Sequence, residues 1–363
     1  MRLFSFLHFR LLSALSKIFQ HVIPVPDSLV SHSFFKTLII MLMFISSCNS
    51  GDPGLKADVS EIKVKEVKVH RYDLDLFKVK VDHLQQGLEA LRPGYRFFLD
   101  TDLNNPEKLA EMTEYLKNPR NLSFHQAVAI KYPELDNMER ELTSAFRHFL
   151  YFYPRMKIPQ VYAYISGGDY DFPVQFADSV LLIGLDNYLG SDFKPYFSDG
   201  LPAYRVSRMN AENILPDCMT VLLNATYPAQ LPGNNMLEQM IEAGKRLYFI
   251  EAMIPQTEER LIAGYTKAQY DWIAKHESDV WAAIIENRLL YATDGKVIRS
   301  FMADGPFTAE FSKEAPARLG VWLGWQIVRK YMVNQPHVSL QELMTEKEAQ
   351  KILGLSGYKP GRK

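Results

Sequence analysis

The sequence predicts a mostly helical α+β domain with a small central sheet, and three observations predict it. Apolar residues recur at spacings of three and four through the segments on both sides of the middle of the chain. Two short runs near the middle, 160–165 and 179–186, break that spacing and are rich in aliphatic and β-branched residues. The sequence also shows no internal repeat, heptad run or low-complexity tract, so a solenoid or coiled coil is excluded.

In order along the chain, 62–72 places aliphatic residues at short intervals and reads as a half-buried strand, with His70 as a surface or edge side chain. Helical spacing then covers 81–91, 107–117 and 123–132. In 134–153, Leu135, Met138, Leu142, Phe146, Phe149 and Tyr153 share a face before Pro154 stops the helix. Between the two sheet runs, Gly167, Gly168, Asp169, Tyr170 and Asp171 form turn material. They lack the lysine and setting of a phosphate loop and the ligand spacing of a calcium loop, so an ordinary turn is expected.

Beyond about residue 205 helical patterns return, with a long helix expected over 234–253 ending before Pro255. Thr266 and Gln269 fit a capping box opening a helix whose apolar face holds Tyr270, Ile273, Val280, Trp281, Ile284 and Ile285. A further helix over 315–331 has Leu319, Trp322, Leu323, Ile327 and Val328 as its core face. Gly320 and Gly324 there suit close helix packing, and Arg318, Gln326 and Arg329 argue against a membrane span. Ser339 with Glu342, and Thr345 with Glu348, have capping-box spacing before short C-terminal helices.

The first 47 of the 363 residues read as an export signal. Lys36 precedes an apolar run too short to span a bilayer, which needs roughly 20 residues, and Ile45-Ser46-Ser47-Cys48 has the form of a lipobox. Cys48 is then the first residue of the mature protein and the lipidation site, because its thiol carries the diacylglycerol. Residues 1–31 precede this signal; a true start near His32 or an unusually long n-region accounts for them. Residues 48–60 read as a polar tether to a single domain over 61–363.

The chain carries 41 Lys/Arg and 42 Asp/Glu. Residues 1–47 contribute Arg2, Arg10, Lys17 and Lys36 against Asp27, so the remainder is mildly acidic and offers no argument for nucleic-acid binding. Beyond Cys48 only Cys218 remains, in an apolar stretch, and it reads as a buried core thiol. No disulfide is available. His70, His83, His125, His148, His276 and His337 are scattered without ligand spacing, so no metal or other cofactor is expected; His148, among Phe146, Phe149 and Leu150, reads as a core or boundary histidine.

Several blocks together resemble GldB, the gliding motility-associated lipoprotein family of Bacteroidetes. They are the lipobox cysteine, 182–190 (LIGLDNYLG), 244–255 (GKRLYFIEAMIP), 264–266 (GYT), 281–293 (WAAIIENRLLYAT) and 318–329 (RLGVWLGWQIVR). The resemblance implies a cell-envelope lipoprotein, anchored to the membrane through lipid on Cys48 and working with other envelope proteins. An outer-membrane anchor facing the periplasm is expected, since no Asp directly follows the cysteine and no acidic cluster lies near it.

That family is in turn similar to predicted zinc peptidases, which implies a zincin-like domain. Their helix carries HExxH, two histidines that bind zinc and a glutamate that activates water. The corresponding stretch here is Leu237-Glu238-Gln239-Met240-Ile241. Glu238 keeps the place of the base, but leucine and isoleucine have no lone pair for zinc. The resulting expectation is a non-catalytic binding or assembly component; the alternative is a peptidase or cell-wall hydrolase with an atypical site, and a purely structural envelope protein is the third. Asp186, Glu242, Tyr248, Glu286 and Arg288, polar residues in or beside the resembling blocks, are the candidate cleft lining. The bland reading of Glu238, Glu242, Lys245 and Arg246 is a solvated helix face.

Overall fold

A computed structural model describes residues 55, 57–228, 233–308 and 311–361, all within the unit Gly51–Lys363. The expected signal, Cys48 and most of the tether lie outside the described residues. Leu55, inside the expected tether, packs against the main core.

Strand β1 (Val69–Arg71) leads to α1 (Leu84–Leu91), α2 (Pro106–Lys117), α3 (Pro119–Lys131) and α4 (Asp136–Phe152). Then come β2 (Gln160–Tyr164), β3 (Val174–Ala177) and β4 (Val180–Gly184). The rest is helical: α5 (Ile214–Thr226), α6 (Met236–Met253), α7 (Lys267–Glu286), α8 (Gly295–Met302), α9 (Leu319–Asn334), α10 (Leu340–Thr345) and α11 (Ala349–Ser356), with one-turn helices between. The result is the expected α+β fold, mostly helical with one small sheet.

The sheet runs β1-β2-β4-β3. β1, β2 and β4 are parallel, and β3 closes the edge antiparallel to β4. Side chains alternate between its faces. Val161, Ala163, Leu181 and Ile183 point into the main core, while Tyr162, Val180 and Leu182 point into a second core with Tyr72, Leu88, Tyr95 and Leu99. Parallel strands buried on both faces explain why β4 reads as a continuous apolar run rather than an alternating one.

The strand expected over 62–72 pairs only at Val69–Arg71. The alternation before it is real: Val67 is buried, and Glu66 and Lys68 are exposed. Its N–H groups, however, are taken by α4. Val67 N–H donates to Thr143 Oγ1 at 2.9 Å, and Val69 N–H to Glu139 Oε1 at 2.9 Å. A helix side-chain clamp stands where a neighbouring strand was expected.

The main core is centred on α6 and α9, which cross at backbone contact. A Cβ on Gly324 would fall 1.8 Å from Met240 O, and one on Gly244 would fall 2.2 Å from Gly324 O. Any side chain at either glycine would push the helices apart. Across the same interface the Glu251 carboxylate accepts from Trp325 Nε1 at 2.8 Å and pairs with the Arg329 guanidinium, which stacks over Trp325 at 4.1 Å. Burial pushes the Glu251 carboxyl up, against the pull of Arg329 and Trp325.

Helix ends follow their caps. Asn118 accepts from Arg120 N–H with Pro119 in the first turn, so α3 starts four residues before the apolar spacing does. Both reciprocal boxes, Thr266 with Gln269 and Ser339 with Glu342, form. The third does not. Thr345 Oγ1 donates back to Gln341 O at 2.9 Å, and α11 starts at Ala349 without a side-chain cap. Ile285, expected on the apolar face of α7, is exposed, whereas Ile273, Val280 and Ile284 are fully buried. Among the described residues no helix is long and apolar enough to cross a membrane.

Candidate functional site

β4 ends at Gly184, and the following 3-10 turn, Leu185–Asn187, buries Asp186 completely. A buried carboxylate needs donors, and the loop after β2 supplies them. Ser166 N–H donates to Asp186 Oδ1 at 2.7 Å; Ser166 Oγ–H and Gly168 N–H donate to Oδ2 at 2.8 and 3.0 Å. Bringing that backbone back to Asp186 uses Gly167 and Gly168 at φ +72° and +86°, where a Cβ is strained. Burial pushes the Asp186 carboxyl up, and the Ser166 and Gly168 donors oppose it. The stretch read as an ordinary turn is therefore tied to β4 by a buried carboxylate.

Next to this clamp, Asn187 and Tyr188 open onto a cavity of about 210 Å³, completed by Tyr170, Asp171, Pro173, Arg205, Arg208, Met209, Asp217 and Asp304. Arg205 donates to Tyr170 O at 2.8 Å and Asp171 Oδ1 at 3.0 Å. Asp217, in the first turn of α5, accepts from Tyr188 OH at 2.7 Å. Burial pushes its carboxyl up, against the positive charge of Arg208. The adjacent Cys218 thiol is fully buried and pushed well above its ordinary range by that burial. It is a core thiol, as its apolar neighbours predict.

Arg208 faces a second guanidinium. From the point where a Cβ on Gly264 (φ +70°) would stand, Arg208 Cζ is 3.0 Å away and Arg318 Nη1 is 3.1 Å away. Arg318 donates to Ala263 O at 3.0 Å and sits at φ +63° as the residue before α9. Burial pulls the Arg318 guanidinium below its ordinary range, and the charge of Arg208 adds to this. Tyr265 OH donates to Ala317 O at 2.9 Å, fixing the same corner. One resembling block thus lines the cavity through Asn187 and Tyr188, and two more, through Gly264 and Tyr265 and through Arg318, meet beside its Arg208.

Sequence reasoning reached Asp186 but missed Arg205, Arg208, Asp217 and Asp304. These lie outside the quoted blocks, and nothing in their local spacing marks them. The other candidates are placed elsewhere. Glu238 is in the first turn of α6, where its carboxylate accepts from Asn234 N–H and Asn235 Nδ2, both at 2.7 Å. It acts as a cap. Leu237 and Ile241, the positions of the zinc ligands in the HExxH register, are each 2% exposed and packed in the core.

Glu242 pairs with the buried Lys245 at 2.7 Å. Lys245 also donates to Glu346 O at 3.0 Å. Of the expected solvated face, Lys245 is thus interior, and Glu238, Glu242 and Arg246 are half-buried. Tyr248 is buried on α6 and borders a separate cavity with Phe152, Met332 and Leu340. Glu286 ends α7 exposed, and Arg288 is exposed at φ +56° just beyond it. His148 is nearly buried, with Nδ1 2.9 Å from Ser144 O. Among the described residues no group of three or more His, Cys, Asp or Glu is placed to hold a metal ion.

No curated protein and no solved structure matches this chain. A family model does match, that described as "Gliding motility protein GldB", over residues 53–360. The match takes in every element of the fold and every residue of the cavity. The chain belongs to the gliding motility protein GldB family.

Proposed function

We propose that this protein is a lipid-anchored component of the cell envelope, held by Cys48 on the periplasmic side of the outer membrane, and that its domain binds envelope proteins without catalysis. The lipobox before Cys48 supports the anchor, and the family match beginning at residue 53 supports the envelope location. One observation carries the non-catalytic reading. Glu238, the sole candidate for a hydrolytic base in the HExxH register, spends its carboxylate on the backbone and side chain of its own helix start. Its flanking positions are core packing.

The test is genetic and chemical together. Glu238→Gln keeps an acceptor for the cap and leaves cellular function intact, whereas Cys48→Ala releases the protein from the membrane fraction and abolishes function. Purified protein that carries stoichiometric zinc, and loses a peptidase activity when chelated, sinks the reading.

A further inference from the structure

We propose that the cavity between Asn187, Tyr188, Arg205, Arg208 and Asp304 binds the C-terminal carboxylate of a polypeptide, with Arg208 as the group that receives it. The inference rests on the binding reading above and adds the ligand class to it.

The cavity's arginines are not equally engaged. Arg205 holds Asp171 at 3.0 Å, and elsewhere Arg71, Arg260 and Arg329 each grip a carboxylate at hydrogen-bonding distance. Arg208 instead has its nearest acid, Asp304, at 3.7 Å, beyond hydrogen-bond range, with its side chain 36% exposed. Its planar fork of donors is matched to a carboxylate and lacks one at bonding distance. Beside it at the same Gly264 stands Arg318, a like charge in a part-buried corner. Two guanidiniums brought to one glycine repel, and an anion between them and the cavity removes that cost. The left-handed backbone at Arg318 is a second local cost kept at the same place.

Charge and size choose among anions. Arg205 is committed to Asp171, whereas Arg208 and Arg318 both face Asp304. Two guanidiniums set against one aspartate suit a carboxylate better than a phosphate dianion. At about 210 Å³ the cavity is smaller than the roughly 300 Å³ at which drug-sized pockets begin. It admits a chain end and not a folded surface. Pro173, Met209 and the Tyr188 ring give the terminal side chain an apolar wall.

Calorimetric titration of the acylated full chain in detergent tests this with three probes: N-acetyl-alanyl-alanine, the same dipeptide as its C-terminal amide, and inorganic phosphate. The free acid binds at least tenfold more tightly than the amide or phosphate. Arg208→Gln loses at least tenfold in affinity for the acid. Asp304→Asn, which removes the competing anion, tightens it several-fold and decides the matter if Arg208→Gln does not fold. Equal binding of acid and amide, no binding of the acid at millimolar concentration, tighter binding of phosphate, or weaker binding by Asp304→Asn overturns the proposal. Mass spectrometry of the recovered probe separates the two readings. A cleaved probe sinks the non-catalytic function and leaves the site, whereas an intact, unbound probe sinks the site alone.

Discussion

Replacing Gly324 with alanine adds one methyl group at the tightest point of the α6–α9 crossing. That methyl would stand 1.8 Å from Met240 O, 2.5 Å from Met240 C and 3.1 Å from Met240 Cα. All three are backbone atoms, so no rotamer change relieves the clash. Restoring contact at about 3.5 Å parts the helices locally by about 1.7 Å, and even a 0.5–1 Å gap forfeits roughly a quarter to a half of each dispersion contact. Overpacking costs about 1–3 kcal/mol, and a backbone clash belongs at the upper end. Alanine returns about 1 kcal/mol in helix propensity. The net is a destabilisation of about 2 kcal/mol, seen as a fall in melting temperature of about 3 °C for a domain of this size. Gly354→Ala is the matched control, because a Cβ at this exposed position of α11 meets nothing within 4 Å. It should gain up to about 1 kcal/mol from propensity alone. Urea and thermal unfolding of both variants measure the contrast. A Gly324→Ala midpoint at or above that of the unaltered protein refutes the backbone-contact argument.

Three further perturbations follow from buried polar groups. Asp186→Ala orphans Ser166 N–H, at about 1–3 kcal/mol, leaves Gly168 N–H only its longer bond to Ser166 Oγ, and should bring rapid proteolysis within 166–171; an uncut loop refutes the clamp. Glu251→Ala leaves the part-buried Arg329 with the more exposed Glu259 as its remaining carboxylate, so the urea midpoint should fall by the equivalent of about 3 kcal/mol; an unchanged midpoint refutes it. Burial acts to raise the Glu139 carboxyl, but Lys68 and Val69 N–H outweigh it and hold it below its ordinary value. A depressed carboxyl stabilises the fold above its unfolded value, and that contribution is lost as pH falls through its folded value. Urea midpoints between about pH 3 and pH 6 should therefore fall more gently in Glu139→Gln than in the unaltered protein; parallel acid limbs refute the sign.

The fold class was legible because its signals are local. The run 179–186 announces β4 by composition, and Thr266 with Gln269 announces α7 by cap spacing. β3 was lost because Val174–Ala177 follows Pro173 in a stretch whose glycines and aspartates dominate the pattern. α3 was begun late because its first turn is set by Asn118 and Pro119, a backbone signal, while the apolar stripe starts afterwards. The reach of the first strand was overestimated for a different reason. Alternation reports which side chains are buried, not which groups take the N–H bonds, and Thr143 and Glu139 lie some 70 residues away in the chain. The same distinction governs the site. Asp186 could be picked from a resembling block, but Arg208, Asp217 and Asp304 become neighbours only when the turn before α5, α5 itself and the turn after α8 come together.

The helix crossing and the cavity are one construction. α9 is preceded by Arg318 and makes its backbone contact with α6 at Gly324, less than two turns later. Between them Gly320 lies against Met302 at the end of α8, two residues before Asp304. A helix seated by glycine-to-backbone contact has little freedom to slide, because moving it in either direction brings a side chain onto a carbonyl. Its first turn, and with it Arg318, is therefore held relative to α8 and the Gly264 corner. Small residues in this helix would otherwise cost propensity of about 1 kcal/mol each. Close approach recovers that cost as packing, and it also sets the distance between the two guanidiniums on which the charge of the cavity depends.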